Sequence, residues 1–274
     1  MNRVIVESHP RSGAWNMAID EALLETAVDA GQCTLRFYRW SEPTVSLGYF
    51  QKPEEAAADP LLAGLPIVPR LSGGGAILHH HEWTYSIALP PGHPLGRVPV
   101  ELYDRIHHEV IAWLRSEGIP AMLRRDSDAL DRDRLPESLA AGVPADVADA
   151  AAHGNSSLER RAREPFLCFG RGDPRDIVLQ GSKILGSAQR RRRGAILQHG
   201  SLLLRGSPFA PQFPGLLEIS NRPDLAEALP DALVRRTAIL LGDVVELPEI
   251  PAAELDHASR LISTRYSLIP DLSN

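Results

Sequence analysis

Cysteine is scarce in this chain: Cys33 and Cys168 are the only two in 274 residues, and they lie far apart. That excludes a disulfide framework and makes a reducing cytoplasm the expected setting. Long apolar runs are also lacking. No segment reaches the roughly 18 consecutive apolar residues needed to cross a bilayer, and the start, MNRVIVESHPRSG, has no apolar signal core. Nor is there an excess of positive charge. A formal net charge of −6 excludes a general nucleic-acid binder, although it leaves room for a local basic patch. What is present, 43% hydrophobic and 23% charged residues, is ordinary for a soluble globular protein that buries a sizeable core.

No internal repeat is visible. The segment NMAIDEALLETAVDA (16–30) places Met17, Ile19, Leu23, Leu24 and Val28 at a mostly helical spacing, with Asn16 as its expected N-cap. β-rich runs follow at 34–40, 44–50, 66–71 and 76–89, each junction marked by glycine or proline. Val100 to Leu114 predicts an amphipathic helix that ends at Gly118 and Pro120. From about Arg124 to Glu164, Asp, Arg, Ala, Ser and Pro replace large apolar residues, and the stretch reads as an exposed, partly disordered insertion. β patterning returns over 176–204, followed by helical runs near 231–242 and 252–264. Strands this clustered predict a mixed α/β or α+β fold rather than regular βαβ winding.

Three short segments carry candidate chemistry. RLSGGGAILH (70–79) holds three consecutive glycines, poor strand material but suited to a tight turn or to an anion-binding nest of backbone N–H groups. It is neither a Walker loop nor a dinucleotide fingerprint, because no Lys-Ser/Thr pair closes it and no strand–GxGxxG–helix unit is present. GSKILGSAQ (181–189) sets Lys183 in a strand of small and apolar residues. There it either points to solvent or serves a carbonyl, a phosphate or a neighbouring thiol. PFLCFGRGD (165–173) contains Cys168, which between Leu167 and Phe169 is a core residue or a nucleophile on the residues alone. His79, His80 and His81 alternate faces if they lie on one strand, so they do not converge on a metal, and no zinc spacing is present. Arg190 to Arg193 reads as the solvated tip of a hairpin or as a docking patch for an acidic carrier protein.

NMAIDEALL (16–24), LRFYRWSEPTVSLGYFQ (35–51), VPRLSGGGAILHHHEWTYS (68–86) and GSKILGSAQRRRRGAILQHGSLLL (181–204) together resemble the lipoate–protein ligase and lipoyl octanoyltransferase family, relatives of biotin–protein ligases. Two positions depart from the family pattern: Pro69 stands where a second arginine is frequent, and His80 where aspartate is. The resemblance implies an α+β fold, a mixed, largely antiparallel sheet flanked by helices, over one catalytic domain spanning 1–274 with 124–164 inserted. It also implies a site. Cys168, in the Cys-Phe pair of one transferase branch, and Lys183 are the implied catalytic residues. Arg70, Ser72, Gly73, Gly74, Gly75, His79, Gly186, Ser187, Ala188 and Gln189 are the implied substrate-binding residues, with no metal.

The implied reaction moves an octanoyl group from acyl carrier protein to Cys168 as a thioester. From there it passes to a lysine of a lipoyl-domain protein such as the glycine cleavage H protein or a dehydrogenase E2 subunit. Lys183 would favour the thiolate, backbone N–H groups of the glycine loop or Gly186–Ser187 would hold the oxyanion, and Leu47, Ile77 and Tyr85 would wall the acyl slot. No cofactor is required on this route, and neither nucleic acid nor membrane is a partner. The rival chemistries are an ATP- and Mg-dependent lipoate ligase, which usually needs an accessory domain, and an amidotransferase between lipoyl proteins. A third rival is an inactive binder of acyl groups or lipoyl domains. Biotinylation is disfavoured because the basic glycine-rich loop of biotin ligases is missing.

Overall fold

The computed structural model describes residues 2–134 and 165–266. Eight strands form the main sheet: β1 (Asn2–Val6), β2 (Cys33–Tyr38), β6 (Glu82–Leu89), β7 (Met122–Leu123), β8 (Ile177–Leu179), β9 (Ser182–Arg192), β10 (Ala195–Leu203) and β11 (Val244–Leu247). Their order is β11-β1-β2-β6-β10-β9-β8-β7. The pairs β11–β1 and β1–β2 are parallel and the rest antiparallel, so the sheet is mixed and largely antiparallel. A second sheet has the order β4-β3-β5, from β3 (Thr44–Leu47), β4 (Ile67–Pro69) and β5 (Ile77–His79).

Helices cover both faces of the main sheet. On one side α1 (Gly13–Ala30) and α7 (Ala252–Leu261) pack over Ile5, Tyr38, Ala88 and Leu197. On the other, α3 (Pro99–Ser116) and α6 (Leu225–Ala238) cover Leu35, Phe37, Ile87, Ile196 and Leu202. With both faces covered, β6 and β10 are buried along their whole length, although polar residues such as Thr84, Ser86, Gln198 and Ser201 alternate with apolar ones along them. The amphipathic pattern of α3 buries Leu102, Ile106, Val110, Ile111 and Leu114. Two short helices, α2 (Pro53–Ala57) and α5 (Leu216–Ser220), bury Ala56 and Leu216 with Leu217 respectively.

Two local expectations change. Asn16 does not cap α1, because the helix begins at Gly13, where a Cβ would sit 2.6 Å from Thr44 Cγ2. Asn16 is instead wholly buried, donating to the Arg11 and Arg39 carbonyls at 3.3 and 3.1 Å. The stretch read as an exposed insertion begins with a helix, α4 (Arg124–Arg134), whose first residue follows directly on β7. Its remainder, 135–164, lies outside the described residues.

Candidate active site

The small sheet and the start of α1 form one wall of a cleft, and β9 and β10 form the other. Between β4 and β5 the chain must turn sharply, and the glycine run makes the turn possible. Gly74 adopts φ +96°, and a Cβ on Gly48 would collide with the Gly74 carbonyl, so two backbone segments touch where no side chain fits. The turn is held from inside. Arg70 Nη1 donates to the Ser46 carbonyl (2.9 Å), Nη2 to the carbonyls of Gly73 (2.8 Å) and Gly75 (2.6 Å), and Nε to Ser72 Oγ (3.2 Å). Burial lowers the Arg70 guanidinium to about 10, offset in part by Cys168. Arg70 is therefore chiefly the internal scaffold of the loop, although it also lines the cleft.

Cys168 reaches this cleft because its segment adds to the sheet edge. Ala76 N donates to the Phe166 carbonyl (3.0 Å) and Cys168 N to the Ala76 carbonyl (2.6 Å), a parallel bridge against the beginning of β5. A single 3₁₀ turn, Cys168–Gly170, then lifts the thiol into partial exposure. Lys183 enters from β9. Its Nζ lies 2.9 Å from Asp176 Oδ1, 3.3 Å from the Cys168 carbonyl and 3.6 Å from Cys168 Sγ. Gly186 makes room for it, since a Cβ there would sit 2.5 Å from Lys183 Cε. Burial raises the Asp176 carboxyl, opposed by the charge of Lys183, and Asp176 also accepts from Asp173 N at 2.8 Å.

The cleft encloses about 520 Å3 of empty space, part of it open to solvent. Among the expected residues, Cys168, Lys183, Arg70, Gly73, Gly74, His79, Gly186, Ser187 and Ala188 line it. Three do not. Ser72 is buried with its Oγ 2.5 Å from His199 Nε2. Gly75 faces Arg171, whose Nε a Cβ would meet at 2.5 Å. Gln189 donates to Gln198 Oε1 at 2.6 Å. Of the expected acyl wall, only Ile77 faces the cleft. Leu47 points into an apolar cluster with Leu78 and Leu167. Tyr85 turns its hydroxyl to Ser187 Oγ (2.7 Å) and accepts from Gln198 Nε2 (2.7 Å). Met17, Tyr38 and Thr84 supply wall in their place.

Two histidine arms back the cleft: His79, which was among the expected residues, and His199, which was not. His79 Nε2 is 2.7 Å from Ser46 Oγ and its Nδ1 2.6 Å from Glu82 Oε1, with the ring stacked on Trp40 at 3.6 Å. His199 Nδ1 is 3.5 Å from Asp20 Oδ2. Arg70 can only donate to Ser46 and Ser72, so each serine hydroxyl is free to give its own proton to the histidine Nε2 behind it. Both imidazoles then carry their proton on Nδ1, facing a carboxylate. Burial lowers the His79 pKa, which agrees with a neutral ring. Beneath Asp20, Arg36 ties α1 to the sheet, donating to Asp20 (2.8 Å), Glu7 (2.6 Å) and Asn16 Oδ1 (2.9 Å). Burial works to raise the Asp20 carboxyl, but its hydrogen bond from His199 and the charge of Arg36 hold it below the usual value.

A third imidazole fixes Ser187. His107 Nδ1 donates to the Arg175 carbonyl (2.6 Å), so its Nε2 accepts from Ser187 Oγ (2.7 Å). A Cβ on Gly200 would collide with both the Ser187 hydroxyl and the Tyr85 ring.

The histidine run and the arginine run both differ from expectation. β5 ends at His79, so His80 and His81 lie in a turn where their rings stack at 3.5 Å instead of alternating faces. Among the described residues no group of three His, Cys, Asp or Glu could hold a metal ion. The arginines are tied to the body of the fold. Arg190 lies over the Tyr49 ring (5.0 Å), Arg191 donates to the Gly96 carbonyl (2.9 Å), Arg192 to Glu25 (2.6 Å), and Arg193 pairs with Asp29 (3.3 Å). Only the turn residues Arg193 and Gly194, at φ 47° and 85°, form the hairpin tip itself.

The architecture is that of lipoate–protein ligases. Lipoate-protein ligase A bound with ATP superposes with a TM-score of 0.64 at 18% identity, covering 96% of this chain and 95% of that one. The bi-partite lipoate protein ligase of Thermoplasma acidophilum, solved in a study with its E2 lipoyl domain, gives 0.59 at 18% identity over 96% and 92%. The chain belongs to the lipoyl protein ligase A/B catalytic domain family, whose model matches residues 12–231. Octanoyltransferase LipM of Kyrpidia tusciae is 32% identical over 279 residues, 92% of each chain. The LipM of Carboxydothermus hydrogenoformans is 34% identical over 198 residues, which are 71% of this chain but 62% of that one.

Proposed function

We propose that this chain is an octanoyltransferase of lipoate biosynthesis that holds the acyl group as a thioester on Cys168 and passes it to a lysine of a lipoyl-domain protein. The observation that carries the mechanism is the 3.6 Å approach of Lys183 Nζ to Cys168 Sγ at a cleft bordered by the glycine loop. A cation at that distance favours the thiolate, which is the nucleophilic form. Cys168 attacks the carrier thioester, N–H groups of Gly73 and Gly74 face the developing oxyanion, and the eight-carbon chain lies along Ile77, Met17 and Tyr38. Each buried CH2 contributes about 0.8 kcal/mol. The activity itself is supported by relatives named octanoyltransferase that match most of the chain.

Octanoyl-acyl carrier protein is the donor in this reading and no cofactor takes part. The ligase solved in a study with its E2 lipoyl domain supports lipoyl domains as acceptors. Cytoplasmic action is part of the reading; among the described residues no helix is long and apolar enough to cross a membrane.

Intact mass spectrometry with octanoyl-acyl carrier protein and no ATP tests it. The expected result is a gain of one octanoyl group, lost from the Cys168→Ser variant. ATP- and Mg-dependent transfer from free lipoate that ignores Cys168 would replace the thioester by an adenylate route.

A further inference from the structure

The second half of the reaction needs a base that the cysteine–lysine pair does not supply. An acceptor lysine arrives as an ammonium at neutral pH, since its ordinary pKa is about 10.4, and must lose protons before the amide is made. Lys183 is not free to take one. Its three N–H directions are used by Asp176, the Cys168 carbonyl and Cys168 Sγ, and an ammonium has no lone pair.

Two imidazoles line the same cleft, His79 and His199. His79 is clamped on every side: Glu82 on one nitrogen, Ser46 on the other, Trp40 against its face. His199 is held at two points, by Ser72 at 2.5 Å on Nε2 and, at a longer 3.5 Å, by Asp20 on Nδ1. Its strand neighbour across the ladder is Ala188, itself part of the cleft wall. Ser72 has a second partner, Arg70 Nε, and so can release His199 without being left unpaired.

We propose that His199 is the base that takes the proton of the acceptor lysine, with Asp20 orienting it and stabilising the imidazolium. The proposal rests on the thioester reading above. The incoming ammonium replaces the Ser72 hydroxyl as donor and gives one proton to His199 Nε2. The amine lone pair forms the C–N bond while the C–S bond breaks, and the electron pair leaves on the Cys168 sulfur beside Lys183. The second proton, lost as the amide forms, goes to that sulfur; His199 then returns its proton to solvent. The charged groups facing His199 are Asp20 from α1, Arg70 from the glycine loop and His79 from β5, with Arg36 of β2 behind Asp20 and Lys183 of β9 across the cleft. The nearest of them, Asp20, is an anion, so the fold accommodates the transient cation.

The test isolates the second half-reaction. Wild-type octanoyl-enzyme is prepared, and single-turnover transfer to a dehydrogenase E2 lipoyl domain is followed from pH 5 to 10. A break below the alkaline range is expected. His199→Gln should still accumulate octanoyl-Cys168, transfer about 10² to 10⁴-fold more slowly at pH 7, and recover steadily toward alkaline pH, where the amine arrives already neutral. A merely structural loss would not recover with pH. A His199→Gln variant that keeps the wild-type profile overturns the proposal, and so does a wild-type profile with no break below the alkaline range. The wild-type measurement stands even where the glutamine variant is unstable, and His199→Asn then serves as the second variant. Absence of any adduct on the wild-type enzyme would remove the thioester itself, and the proposal with it.

Discussion

Cys33 and Cys168 carry the same side chain in opposite surroundings. Cys33 opens β2 in the apolar cluster shared with α3, where burial pushes its thiol up to about 12. Cys168 stands half-buried on a 3₁₀ turn, 3.6 Å from an ammonium and at the edge of a cleft. One is a small buried hydrophobe and the other stands beside a cation at a cleft, and no property of cysteine itself decides which. The same contrast separates the two regions that hold them. Around β2, charges such as Arg36, Glu7 and Asp20 are sealed and fully paired; around the 165–171 turn, groups are half-exposed and held by backbone bridges. A buried, satisfied network gives rigidity, while an edge segment gives access.

The sharpest way to break this comparison is to exchange sulfur for oxygen at each cysteine. Cys168→Ser should lower octanoyl transfer by at least about 10³-fold and remove the acyl-enzyme mass, with an unchanged melting temperature. Transfer at a normal rate would end the thioester route.

Acid should next probe a buried imidazole that braces the cleft wall through Ser187. Burial pulls His107 down to about 4. The unfolded chain takes up a proton near pH 6.5 that the folded chain refuses until about pH 4. Stability therefore falls as pH drops through that window, by about 3 kcal/mol in all. Denaturant melts at pH 7 and pH 4.5 should show the loss in wild type and a flatter response in His107→Gln; equal slopes would show that another group governs acid sensitivity.

Cys33→Ser should leave transfer intact and cost about 2 kcal/mol, because a hydroxyl would be buried among apolar neighbours. A urea midpoint equal to wild type would mean that the hydroxyl finds a partner. The smallest effect concerns the cation. Lys183→Ala should slow alkylation of Cys168 by iodoacetamide at neutral pH by about tenfold, with Cys33 unlabelled until the chain unfolds. An unchanged rate would deny Lys183 its electrostatic role.

Much of this was readable in the residues. The alternation through 176–204 announces β8, β9 and β10, and the apolar spacing of 100–114 announces α3, because each is a local repeat that matches a strand or helix period. The glycine run announces a turn against a neighbouring backbone, since no other residue tolerates such contact. Other features escaped. Leu47 and Tyr85 face away from the cleft because pleat direction depends on register with partner strands, and register is a long-range property. Asn16 was read as a cap because a polar residue before an apolar run resembles one; its burial against Arg36 comes from β2, on the far side of a helix and a turn.

By itself, the amino-acid sequence determined which groups this protein could bring to a reaction: one thiol next to a phenylalanine, one lysine in a small-residue strand, and glycines where backbones must touch. It also determined the periodicities that make its strands and helices. Tertiary structure alone decided how closely Lys183 meets Cys168, that Arg70 grips its own loop, and that Asp20, Ser72 and His199 form one chain of contacts. The reason is physical: period and turn chemistry act over a few residues, whereas ion pairs and hydrogen bonds between distant segments form only after the sheet has closed in register.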